Sequence, residues 1–221
     1  MKGADSMEKN IFENPLFLEV EKCVDAFLLS LLWIFASLPI ITIGASTTAL
    51  YYTVHKVLIH ERNQIWSSFW SSFKSNFKQS TILWLIILLF LFITCGDTYI
   101  LYQVLNNGNI IGNFYIVFGV LAVFVVMWAS YFFPYTARFQ DSVKQIMMNC
   151  FKITLANIQW SLLLLILLIV AYMVTYIIPF AIIVIPTVYM LLANKVLEHV
   201  FGKYMSEEDL NKEKEFNKKH Y

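Results

Sequence analysis

Apolar residues fill this chain in long blocks, with polar residues gathered between them. The uncharged runs 81–96, 110–137 and 158–193 approach or exceed the ~18–20 residues needed to cross the hydrocarbon core of a bilayer. An earlier apolar run, 26–54, is interrupted by Pro39, Gly44 and the hydroxyl cluster Ser46, Thr47, Thr48. One crossing would bury the proline, the glycine and three hydroxyls in mid-bilayer. Two short legs place the turn at 39–45 near the outer surface, with the second leg ending at His55, Lys56, His60, Glu61 and Arg62. Short legs are met by bilayer thinning or snorkelling at modest cost, so two legs are the preferred reading.

The connector 64–79, QIWSSFWSSFKSNFKQ, carries the clearest periodicity. Ile65, Trp66, Phe69, Trp70, Phe73 and Phe77 fall on one helical stripe, while serines with Lys74 and Lys78 cover the rest. Bulky aromatics opposite Ser and Lys suit an interfacial helix anchored at the headgroup boundary; a soluble-side helix packed on neighbouring loops is the alternative. Residues 138–157 repeat the pattern in weaker form. Spans are predicted near 25–41, 41–54, 80–99, 110–135, 158–177 and 180–200. Asn14-Pro15 supplies a helix start, as N-cap and first helical residue, and Asn107-Gly108 marks a tight turn. Pro179 and Pro186 interrupt the last apolar stretch, and Ser206 before Glu207, Glu208 and Asp209 begins a capped polar tail. The expected fold is all-α: a polytopic helical membrane protein with about six transmembrane helices, five being possible, and amphipathic cytoplasmic connectors. Residues 1–13 form a polar N-terminal tail, 14–202 one helical domain, and 203–221 a charged C-terminal tail.

Composition agrees. Of 221 residues, 59% are hydrophobic and only 14% charged, outside the soluble globular range. Aromatics at 17% are enough to furnish belts at both interfaces. The net charge of +1 steers no polyanion, so the basic connectors point to anionic headgroups and not to nucleic acid. Position matters more than total. Lys56, Arg62, Lys74 and Lys78 lie in one connector, Arg138, Lys144 and Lys152 in the next, and the chain after 194 holds six more basic residues. The loops 100–109 and 176–180 hold none. The positive-inside rule then puts the basic segments and both termini in the cytoplasm of a cell membrane. A cleaved signal peptide is not expected: the first apolar run starts after six acidic residues and lacks an AxA-like site.

Candidate chemistry is sparse. Asp97 is the sole acidic residue between Glu61 and Asp141, and a carboxylate at membrane depth is by default a candidate polar solute or ion contact. Ser46, Thr47 and Thr48 are the second candidate, because broken helices are where many transporters hold substrate. Such hydroxyls more often satisfy the freed backbone. His55 and His60 are five apart, the wrong spacing for two ligands on one helix face, and Cys23, Cys95 and Cys150 have neither metal nor disulfide spacing. No metal, cofactor or catalytic motif is expected. A weak echo pairs Thr48 and Lys56-Val57-Leu58 with Thr187 and Lys195-Val196-Leu197, each after a proline break, as a duplicated hairpin would.

Asn14-Pro15-Leu16-Phe17, then LLWIFASLPIITIGASTTALYYTVHK, then 69–78 followed by QSTILW, resemble the YesL-like family of small bacterial integral membrane proteins, a domain of unknown function. The likeness is strongest over 14–90 and weak after 140. It carries no site residues. It implies genomic company with sugar-uptake ABC transporters and polysaccharide-degrading enzymes. The expectation is a non-enzymatic accessory of oligosaccharide uptake, touching a transporter or lipid through its aromatic connector. A small permease using the 39–48 break and Asp97 is the rival. Cysteines placed at positions 74 and 107 are expected to label from opposite faces of the membrane; labelling from one compartment contradicts this topology.

Overall fold

The computed structural model describes residues 15–59, 64–139 and 141–204. Asn14, His60, Glu61, Arg62, the 1–13 tail and the Ser206-led tail helix lie outside the described residues. Among the described residues seven α-helices run in order: α1 (Pro15–Ser37), α2 (Ile43–Thr53), α3 (Ile65–Asn106), α4 (Tyr115–Arg138), α5 (Val143–Ala156), α6 (Ile158–Ile177) and α7 (Ile185–Phe201). There is no strand among the described residues.

α3, α4 extended by its leading 3-10 turn, and α6 are long and apolar enough to cross a membrane. In their apolar stretches only 17%, 17% and 11% of residues are buried within the protein. Phe92, Val120, Ile166 and Tyr176 are among the many large side chains left bare, an apolar surface too extensive for water but suited to acyl chains. The other helices fall outside that description. α1 carries Lys22 and Asp25, α2 has 11 residues, and α7 has 17. Of the six crossings expected, three therefore correspond to helices long and apolar enough to cross; α1, though 23 residues long, is not among them.

The largest departure is at α3. The aromatic connector and the following span, expected as two elements, form one continuous helix of 42 residues. At 1.5 Å per residue it is about 63 Å long, roughly twice the ~30 Å hydrocarbon core. Nothing between Ile65 and Cys95 is Gly or Pro, so no residue there breaks it. The first part of α3 pairs with α2; beyond it, α3 and α4 run antiparallel, with rings meeting at Trp84–Phe133, Phe90–Trp128 and Tyr102–Tyr115. Gly108 takes φ 83°, the left-handed turn that Asn-Gly predicts.

The break at 38–42 ends α1 because a residue preceding proline is pushed out of the helical region. Pro39 itself is extended, φ −75°, ψ 115°. Thr42 then turns back, its hydroxyl donating to the Ala36 carbonyl at 2.6 Å and the Pro39 carbonyl at 2.7 Å. This satisfies acceptors that the helix end would otherwise strand. The indole of Trp84 donates to the Ile40 carbonyl at 2.8 Å. The turn thus lies beside Trp84 and Phe133, closer along α4 to the Arg138 end than to the Asn107 loop, and not at the outer surface where two full crossing legs would put it. A Cβ on Gly44 would sit 2.5 Å from the Ser80 carbonyl oxygen, 2.8 Å from Trp84 Cβ and 3.0 Å from the Phe133 ring. Only glycine permits that approach.

α2 is consequently the packing centre. Ala49, Leu50 and Tyr51 are buried in one core with Phe69, Leu83, Tyr131, Phe132, Leu197 and Phe201. The echo noted in the sequence is matched in element order. Helix α1, Pro39, a 3-10 turn (Ile40–Thr42) and α2 parallel helix α6, Pro179, a 3-10 turn (Pro179–Ile183) and α7. α5 starts with a full capping box between Ser142 and Gln145. It buries Ile146, Cys150 and Ile153 and exposes Lys144, Met148, Phe151, Lys152 and Leu155.

Gly44→Ala is expected to lower unfolding free energy by about 1–3 kcal/mol, the usual cost of overpacking. Gly96, with nothing within 4 Å of its Cβ position, should accept alanine without loss. Thermal melting in detergent that ranks the two variants equal contradicts the packing described.

Candidate functional site

Every hydroxyl at the break is already engaged. Ser46, Thr47 and Thr48 donate to the carbonyls four residues back, Thr42, Ile43 and Gly44, at 2.7, 2.7 and 3.0 Å. Their oxygens also meet neighbours: Ser46 lies 2.7 Å from the Ser37 hydroxyl, Thr47 accepts from the Trp33 indole at 3.2 Å, and Thr48 lies 2.8 Å from the Ser80 hydroxyl. These groups tie α1, α2 and α3 together. Thr47 alone also faces open space, where two apolar chambers of about 350 and 360 Å³ meet along Leu168, Tyr189 and Met190.

Asp97 is half-buried on α3 and has no hydrogen-bond or ion-pair partner among the described residues. Thr48 contacts α3 at Ser80, about 25 Å along the helix from Asp97. The structure therefore does not bring Asp97 and the Ser46–Thr48 hydroxyls into one cavity.

The aromatic anchors divide. Trp66, Trp70, Phe73 and Phe77 form a run of touching rings, with centroids 5.9 Å apart for Trp66–Trp70, 5.3 Å for Trp70–Phe73 and 5.4 Å for Phe73–Phe77. Phe69 stacks on Phe73 but is fully buried in the core. Trp66 and Phe77 remain exposed, with Lys74 and Lys78 beside them. The serine side of the same helix, expected to face headgroups or water, instead forms a wall. Ser71, Ser72, Ser75, Asn76 and Gln79 line a polar cavity of about 480 Å³, closed by Tyr52 and by Thr136, Arg138, Phe139 and Asp141. This volume is within the range of small-molecule sites. The spacing 71, 72, 75, 76, 79 is one helical face, and its neutral amides and hydroxyls, where a solvent face would carry charge, are the sequence signal that marks it.

Beside the cavity lies an ionic cluster built by four elements. Arg138, at the end of α4, meets Glu198 of α7 at 3.1 Å. Its guanidinium also lies 2.6 Å from Nε2 of His55. His55 sits on a π-helical stretch (Val54–Ile59) that continues α2, a rare geometry often found where a side chain must be re-aimed. Tyr51 donates to Glu198 at 2.5 Å and stacks on His55 with centroids 6.1 Å apart. Asp141 accepts from Tyr135 at 2.7 Å and from Asn149 at 3.2 Å, while the Gln79 amide donates to its carbonyl. Burial pushes the Cys150 thiol well above its ordinary value, and Asp141 adds to the shift, so this cysteine is a packing group and not a nucleophile. Cys23 and Cys95 are exposed, and no group of His, Cys, Asp or Glu among the described residues could hold a metal.

Residues 26–98 match the family described as "Protein of unknown function, DUF624". The match covers about a third of the chain, including the break, α2 and the cavity-lining part of α3. No curated protein and no solved structure matches the chain.

Glu198→Ala strips Arg138 and Tyr51 of a shared partner. It should cost about 3 kcal/mol, the low end for breaking a buried pair, since Glu198 is 27% exposed. Glu198→Gln, which can still accept from Tyr51, should cost less; chemical unfolding with both variants at wild-type stability contradicts the cluster's role.

Proposed function

We propose that this chain is a multi-pass protein of the cell membrane that assists carbohydrate uptake without carrying solute itself or acting as an enzyme. The carbohydrate context comes from the YesL-like resemblance. The observation that carries the non-transporting part is the engagement of the break hydroxyls: Ser46, Thr47 and Thr48 serve the bundle's own backbone. A permease built on the 39–48 break and Asp97 needs both in one polar route. The space beside Thr47 is apolar instead, and Asp97 is about two and a half nanometres along α3.

In this reading the Arg138 end, where Lys56, Lys74, Lys144, Lys152 and Lys203 gather, faces the cytoplasm. α3, α4 and α6 cross, and α7 returns, because Glu198 near its end pairs with Arg138. The α1–α2 pair, whose turn lies nearer the Arg138 end, does not add two full crossings in this reading. The partner surface is the exposed part of the aromatic run, Trp66 and Phe77 with Lys74 and Lys78, offered to a sugar ABC transporter or to lipid.

Deleting the protein should lower uptake of at least one oligosaccharide, and the purified chain in liposomes should move none. Unchanged uptake of every sugar tested contradicts the accessory role, and solute movement by the chain alone favours the permease.

A further inference from the structure

The polar cavity has a chemistry that selects among ligands. Its charged members are already compensated: Arg138 by Glu198 at 3.1 Å, and Asp141 by hydrogen bonds from Tyr135 and Asn149. What remains open is neutral. Ser72 is nearly buried, 4% exposed, and accepts from the Asn76 amide at 3.4 Å, while its own O–H has no acceptor among the described residues. The Asn76 amide nitrogen is spent on Ser72 and Ser75, which leaves its carbonyl oxygen as an acceptor. Gln79 uses its amide nitrogen on Asp141 in the same way, and its carbonyl oxygen likewise stays open. One open donor, the Ser72 hydroxyl, and two open acceptors, the Asn76 and Gln79 carbonyl oxygens, therefore lie along one wall.

A carboxylate or fully ionised phosphate presents acceptors only and leaves the Asn76 and Gln79 oxygens unmatched, while an ammonium presents donors only and leaves the Ser72 hydroxyl unmatched. A hydroxyl both donates and accepts, so a row of hydroxyls matches it. Leaving buried polar groups unmatched is costly, so the mismatch discriminates. Tyr52 and Phe139 add two aromatic faces to the same space, apolar surface for the C–H side of such a ligand. The volume of about 480 Å³ admits a small molecule and not a folded segment.

We propose that this cavity binds a small neutral polyhydroxylated molecule, a sugar or the end of an oligosaccharide, with Ser72 and Asn76 as its principal hydrogen-bonding residues. The proposal rests on the carbohydrate reading for its choice of probes, and on the wall's own chemistry for the neutral, hydroxyl-rich class. Bound here, a sugar would touch α2 at Tyr52, α3 and the end of α4 at once, next to the Arg138–Glu198 cluster.

The test is calorimetric titration of the full-length protein in lipid nanodiscs with sorbitol, glucose, maltose, maltotetraose, glucose 6-phosphate and inorganic phosphate. At least one neutral probe should bind saturably, and glucose 6-phosphate should bind no better than glucose. Ser72→Val and Asn76→Leu should each weaken binding at least tenfold. Asn76 is only half-buried, so its variant reports even where the serine variant lowers the melting temperature. Failure of every neutral probe, tighter binding of either phosphate compound, or full binding by the Asn76 variant overturns the proposal. Saturable sugar binding with uptake unaffected by deletion removes the accessory role and keeps the site; the reverse result removes the site alone.

Discussion

At Gly44 three helices come closer than any side chain allows. The first turn of α2 presses on the Ser80 carbonyl and Trp84 of α3 and on Phe133 of α4, where even a methyl group would collide with backbone. That approach brings α2 into the middle of the bundle and sets its hydroxyls against partners on α1 and α3. It also carries Tyr51 and His55 to the Arg138 end. Membranes remove most of the hydrophobic drive between helices, so close backbone approach and interhelical hydrogen bonds supply the cohesion. Here both act in the same few residues, with Gly44 giving the approach and Ser46, Thr47 and Thr48 the bonds.

A broken helix inside an apolar run has two physical uses. It can leave backbone groups open for a ligand, or it can re-satisfy them and serve as a joint. Thr42 decides which use applies. Its hydroxyl reaches back to the Ala36 and Pro39 carbonyls, which seals the end of α1, and the next three hydroxyl residues repeat the move one turn on. What chemistry the molecule has is displaced to the end of the bundle, where water can reach neutral polar side chains and a compensated ionic cluster.

The apolar runs, the Asn107-Gly108 turn and the aromatic stripe of residues 65–77 were legible from local pattern, because each is a property of neighbours in sequence. The importance of 37–56 was legible too, since Pro, Gly and hydroxyls inside a greasy run need a structural reason. Continuity of α3 was not. A change from amphipathic to uniformly apolar composition at Gln79 looks like a boundary, yet it carries no helix breaker. The cavity was not legible: the polar side of 71–79 reads as a headgroup or water face, and the opposite wall depends on Arg138 and Asp141, which only the α3–α4 pairing brings near. The His55–Arg138–Glu198 cluster joins residues more than eighty positions apart, with no local trace, and it depends on a π-helical turn that the sequence does not announce.

The most direct test of the central claim is amide hydrogen–deuterium exchange of the protein in lipid nanodiscs, read across the peptide covering residues 43–53. A closed joint, with its backbone paired and its hydroxyls internally bound, predicts protection there equal to that of the Tyr131–Phe132 region of α4 and little change when solutes are added. Fast exchange in that peptide, or protection that rises sharply on adding a sugar or ion, would mean that the break is an open site and would contradict the account.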